Sequence, residues 1–344
     1  MNHRPRFWGI AAACLGMSLA VALTTPSILE AKKKPAPSAT PSAPVPVVSD
    51  QPEHIILFVV EGIGQESLKL GPMPTLGRLI KGGAVTWSAT GVTPPLRLPS
   101  MASLVTGMPV EKHGISWESY DFARGYPRPP TIFDYLDSGG GKDSAIFLMD
   151  ESLYQLAKPE PYTDFQICGP LKPECNTGTI VSYIRQYMKK ATSGHGYGHA
   201  ILSLPHFLIV HLPQGGRAGQ AEGWTSADYR AAVQSVDKAM ASVLDLYSEL
   251  GLRQKTAVMV AGLSAYGVAA GAGPSGAPAE GLPWIASGPG IKGNHVIGRP
   301  VSIIDTGATV MRAFGLTTHT EWDSRAIEDI FVAPRVAQAI PAVQ

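Results

Sequence analysis

TPPLRLPSMASLVTGMPVEKHGI, residues 93–115, and the run HIILFVVEGIG ahead of it, residues 54–64, decide how this chain is read. In the first stretch Pro94, Pro95 and Pro99 hold the entry extended, because proline fixes φ and disfavours helix in the residue before it. Ser100–Thr106 is compact and mostly apolar, as a buried helix is, and Gly107 and Pro109 stop it. In the second stretch a β-branched, apolar run ends on Glu61 and two glycines. A buried strand that delivers a carboxylate to a sheet edge has this pattern, and α/β proteins place their sites at such edges.

Outward from these stretches, strands and helices alternate. Strands are expected over 55–60, 144–149, 207–212, 256–261 and 283–286. Helices are expected over 74–81, 100–106, 131–137, 179–190, 226–250 and 304–314. The long helix is marked by Tyr229, Val233, Val236, Met240, Val243, Tyr247 and Leu250 at helical spacing, with Gly251 at its end. Such alternation predicts an α/β domain, a largely parallel central sheet with helices on both faces.

The ends of the chain read differently. Arg4 and Arg6 precede the nearly uncharged run 7–23, so residues 1–31 form a signal peptide or an N-terminal membrane anchor. Residues 32–51 are rich in Pro, Ala and Ser and form a linker. A domain over 52–333 and a tail over 334–344 follow. The protein is therefore expected to be exported, periplasmic or otherwise extracytoplasmic, soluble or tethered through residues 7–23. Without residues 1–31 the chain carries 26 basic and 26 acidic residues, a balance that leaves no electrostatic footprint for nucleic acid. Cys168 and Cys175 flank the loop GPLKPE, and in an exported chain a disulfide between them is expected; the alternative is two unpaired buried thiols.

The two opening stretches resemble the alkaline phosphatase superfamily in its type I phosphodiesterase and nucleotide pyrophosphatase branch. That branch opens with a strand ending in Asp-Gly, then P-x-L-x-x-L-x-x-x-G, matched by Pro74 to Gly83. It continues with T-F-P-N, L-V-T-G and H-G-I, matched by Arg97–Ser100, Leu104–Gly107 and His113–Ile115. The resemblance implies an alkaline-phosphatase-like three-layer sandwich. It also implies two metals, usually zinc, on Asp and His ligands around a Thr or Ser nucleophile. Here Glu61 stands at the first ligand Asp and Arg97 at the nucleophile. D-x-x-G-H-x-x-G has become Gly216 to Gly223, with Gly216 for the Asp and Gln220 for the His. S-D-H-G has become Ser264-Ala265-Tyr266-Gly267. No Asp lies between Asp164 and Asp228, and no His between His211 and His295.

The expected metal set is thus none, and no cofactor is expected. The strand-end acid and the nucleophile position converge in the resembled fold, so Glu61 and Arg97 are expected at hydrogen-bonding distance, guanidinium charge replacing metal charge. Ser100 is a further binding candidate, weighed against a helix-capping or packing role. His195 and His199 lie among glycines and read as loop. His206 and His211 have an odd separation that puts them on opposite strand faces. His113 reads as structural. The functional expectation is a catalytically inactive, exported member that acts as a binding or scaffold component of the cell envelope, with an envelope protein or an anionic ligand as partner. A separate reading is an envelope binding module in which Arg97 captures a phosphate or carboxylate head group. The alternative is a phosphodiesterase or phosphatase with a rebuilt, non-standard site.

Overall fold

The structure is a computed structural model that describes residues 50–168, 175–193, 203–264 and 281–333, with the backbone at 47–48 and 335–336. The expected leader, most of the linker and tail, His195, His199, Ala265 and Tyr266 lie outside the described residues.

Eight strands form one sheet: β1 His54–Glu61, β2 Gly83–Ala89, β3 Ser144–Leu148, β4 Thr163–Ile167, β5 Phe207–Leu212, β6 Thr256–Ser264, β7 Leu282–Ser287 and β8 His295–Val296. Their order is β4-β3-β5-β1-β6-β7-β2-β8, and all pairs are parallel except the two that involve β7. The largely parallel α/β sheet expected from the sequence is therefore present. Strand β1 lies in the interior of this sheet with all eight residues buried, which is why it reads as an unbroken apolar run rather than an alternating one.

Among the described residues the α-helices of eight residues or more are α1 Pro74–Lys81, α2 Arg97–Thr106, α3 Ile132–Gly140, α4 Thr177–Thr192, α5 Gln214–Glu222, α6 Ala227–Glu249 and α7 Asp305–Ala313. They lie in two layers. Ile55, Leu57 and Val59 of β1 pack in one core with α2, α3 and α7. Ile56, Phe58 and Val60 pack in the other with α1, α4 and α6. This period-two division of one strand between two cores gives the three-layer sandwich.

Local chemistry sets the ends. Ser226 Oγ accepts from Tyr229 N at 3.0 Å and caps α6, and Gly251 at φ +72° ends it. Buried Asp237 of α6 accepts from Thr75 N (3.1 Å) and Leu76 N (2.8 Å), so a carboxylate sits at the N-terminus of α1.

Several boundaries differ from expectation. Helix α2 begins at Arg97, not Ser100. Pro99 occupies the first turn, where a backbone N–H has no helical acceptor, so the proline costs nothing there, and Ser100 N makes the first bond to Leu96 O (2.9 Å). Gly139 and Gly140 belong to α3, which ends at Gly141 with φ +57°. Strands β2, β4 and β8 and helix α5 carry no signal strong enough to be expected. β4 is only partly buried and α5 is rich in glycine.

Candidate functional site

Parallel strands end at the same sheet edge, so β3, β5, β1 and β6 bring Asp150, His211, Glu61 and Ser264 together there. Glu61 continues the face of Ile55, Leu57 and Val59. His211 continues that of Phe207 and Ile209 on the neighbouring strand, with Val59 opposite it. Glu61 is 3% exposed and His211 fully buried. The edge carboxylate is therefore a buried charge and needs partners.

Arg97 supplies them from the first turn of α2. Its Nε donates to Glu61 Oε1 at 2.6 Å and its Nη2 to Glu61 Oε2 at 2.9 Å, a bidentate pair. The expected Glu61–Arg97 contact is thus present. His211 Nδ1 faces the Met149 N–H at 3.4 Å, so its Nε2 carries the proton and donates to Glu61 Oε1 at 2.8 Å. Burial pushes Glu61 upward, but the hydrogen bond from His211 and the charge of Arg97 outweigh it and hold the carboxyl at about 2. Burial pushes His211 down, against the pull of Glu61, so the imidazole is neutral.

Arg97 reaches further. Nη1 donates to Asp150 Oδ2 at 2.9 Å and lies 3.8 Å from Glu118 Oε1. Asp150 also accepts from Arg217 Nη2 (2.8 Å), Ser152 N (3.0 Å) and Ser152 Oγ (2.7 Å). All three guanidinium nitrogens therefore face carboxylates. Three of the five Arg97 N–H groups are used on Glu61 and Asp150, so the expected capture of an anionic ligand would fall to the two that remain.

Neighbouring residues are shaped to this cluster. Gly62 turns the chain at φ +65°, and its N–H donates to Ser264 Oγ at 3.1 Å. A Cβ on Gly216 would come 2.9 Å from Glu61 Cβ and 3.4 Å from Glu61 Oε2. The aspartate of the resembled motif would crowd Glu61 at position 216. Gln220 is exposed on α5. Ser100 is buried within α2, and its hydroxyl has no hydrogen-bond partner among the described residues. His113 is structural: Ile115 N donates to its Nδ1 (3.1 Å), so Nε2–H donates to Ser103 Oγ (2.7 Å), and burial holds it at about 4. It cannot serve Ser103 as a base. Cys168 and Cys175 are joined by a disulfide, with Cα atoms 5.6 Å apart.

Residues 55–272 match the type I phosphodiesterase / nucleotide pyrophosphatase family. The chain belongs to this family. No curated protein sequence matches it. Among solved structures it is similar to murine ectonucleotide pyrophosphatase / phosphodiesterase 5, described as an inactive variant in complex with AMP. That likeness has a TM-score of 0.60 at 12% identity, over 81% of this chain and 100% of that one. The human counterpart matches at 0.59 and 11%, over 81% and 100%. A 2-O GAG sulfatase matches at 0.55 and 14%, over 85% of this chain and 76% of that one. At these identities the structures establish the shared fold.

The two metal ions of the family can be tested against these side chains, and the fit is poor. Glu61 gives both oxygens to Arg97, a fixed positive charge where a cation would sit. Gly216 offers no ligand atom, and Gln220 is exposed on α5. Among the described residues no three His, Cys, Asp or Glu side chains are placed to hold a metal ion.

Sequence reasoning missed His211 and Asp150. Asp150 follows an apolar strand just as Glu61 ends one, so the signal that picks out Glu61 also applies to it. His211 was recognisable as the last polar group of a buried strand, but only the sheet order puts that strand beside β1.

Proposed function

We propose that this protein is a non-catalytic member of the phosphodiesterase family, exported to the cell envelope, where its retained cleft binds a ligand without turning it over. The supporting observation is the bidentate grip of Arg97 on Glu61. The position from which the family's nucleophile attacks carries a cation, and that cation pairs with Glu61, the carboxylate at the position of the first ligand. A guanidinium is not a nucleophile, and it repels the divalent ions that would activate one. The disulfide fits an oxidising compartment. Among the described residues no helix is long and apolar enough to cross a membrane; the tether of this reading is the apolar run 7–23.

The test is turnover of bis(p-nitrophenyl) phosphate, p-nitrophenyl phosphate and p-nitrophenyl sulfate, with and without added zinc or manganese. Hydrolysis at the rate of buffer alone is expected. Sustained turnover that Glu61→Gln abolishes would overturn the reading.

A further inference from the structure

Above Arg97 lies an open cleft of about 760 Å³. Its floor and walls include Arg97, Glu118, Asp150 and Glu151, with Tyr120 and Tyr154 at the rim. The two tyrosine rings stand 5.9 Å apart at a tilt of 59°, and they are 46% and 43% exposed. Large aromatic faces left open beside a cleft are available for a ligand.

The charge of the cleft follows from the pairing already described. In formal charge Arg97 and Arg217 are balanced by Glu61 and Asp150. Two carboxylates are left over. Glu151 has no charged or hydrogen-bonded partner among the described residues. Glu118 has only a long contact to Leu98 N (3.4 Å) and the edge of Arg97 at 3.8 Å. Burial first, with smaller pushes from Glu61 and Asp150, raises the Glu118 carboxyl against the pull of Arg97 and the Leu98 N–H.

Electron-rich ring faces and uncompensated carboxylates attract the same partner. Cations sit over tyrosine rings, and carboxylates accept charge-assisted hydrogen bonds from ammonium and guanidinium groups. A phosphate or nucleotide would meet net negative charge. We propose that this cleft binds an organic cation, an ammonium or guanidinium group, held between the Tyr120 and Tyr154 rings and the Glu118 and Glu151 carboxylates. The proposal rests on the non-catalytic reading, which leaves the cleft free for a retained ligand, and it names the class of that ligand. The group is either a free polyamine or the Lys or Arg side chain of a polypeptide.

The experiment is calorimetric titration of the full chain with four probes: spermidine, blocked Gly-Lys-Gly, blocked Gly-Arg-Gly and the neutral blocked Gly-norleucine-Gly. Saturable binding of a cationic probe and none of the neutral one is expected. Preference for spermidine identifies a free polyamine, and preference for a tripeptide identifies a polypeptide side chain. Glu118→Gln with Glu151→Gln should weaken binding about tenfold or more, and Tyr120→Leu or Tyr154→Leu about threefold or more. These residues are partly exposed, and unchanged melting of each variant confirms its fold. No cation binding, equal binding of the neutral tripeptide, or binding that the four substitutions leave unchanged would overturn the proposal. Turnover of nitrophenyl esters alongside cation binding would instead remove the non-catalytic reading and leave the cleft assignment in place.

Discussion

Exchange of Arg97 for methionine keeps an unbranched side chain and removes its charge and all its donors. Glu61 would then keep burial at 3% exposure and a single hydrogen bond from neutral His211. Breaking a buried pair by removing one partner costs about 3–5 kcal/mol, because an uncompensated charge is left behind. Linkage gives a similar figure. The Glu61 carboxyl titrates at about 2 in the folded protein and near its ordinary 4.5 when unfolded. A folded value below the unfolded one contributes stability above pH 4.5 that is lost as pH falls toward 2. The size of that contribution is about 3 kcal/mol. In Arg97→Met burial is opposed by His211 alone, and most of that contribution is lost. The assay is urea unfolding of wild type and variant at two pH values. At neutral pH the variant should be about 3 kcal/mol less stable, a fall in Tm of about 6 °C for a domain of this size. At pH 3 the gap should narrow by more than about 1 kcal/mol, since wild type has by then lost much of the benefit. A gap below about 0.5 kcal/mol, or one of equal size at both pH values, would refute the claim that Arg97 stands in for a counter-ion of Glu61.

Other expectations follow from the same geometry. Gly216→Ala should destabilise by about 1–3 kcal/mol in urea unfolding, because the new Cβ falls 2.9 Å from Glu61 Cβ. His211→Phe should raise the pKa of Glu61, read by carboxyl-selective NMR, and destabilise by about 1–3 kcal/mol, since it removes a buried donor to a charge. Reduction of the bond between Cys168 and Cys175 should cost about 2–3 kcal/mol from the short loop that it closes, measured by denaturation with and without reductant.

The sequence made some parts of this molecule legible and hid others for physical reasons. Strand β1 and helix α6 bury continuous apolar patterns, and such patterns depend on their own residues alone. Glu61 and Arg97 were legible because each stands in a motif whose neighbours are retained. Helix α5 was not, since three of its nine residues are glycines and its helical state is imposed by packing of Gly215 and Gly216 against the Glu61–Gly62 backbone. Glu118, Asp150 and Arg217 come from separate loops and helices, and only the folded sheet order brings them to one edge. The sign of the cleft was hidden for the same reason. Arg97 alone suggests an anion site, whereas three carboxylates around it leave the surroundings acidic.

The central claim is that guanidinium charge has replaced metal charge at this sheet edge. It is tested most directly by dialysing the purified full chain against zinc and measuring bound metal by plasma mass spectrometry. The account predicts no stoichiometric zinc in wild type. One or two zinc ions per chain, lost on Glu61→Gln, would contradict it.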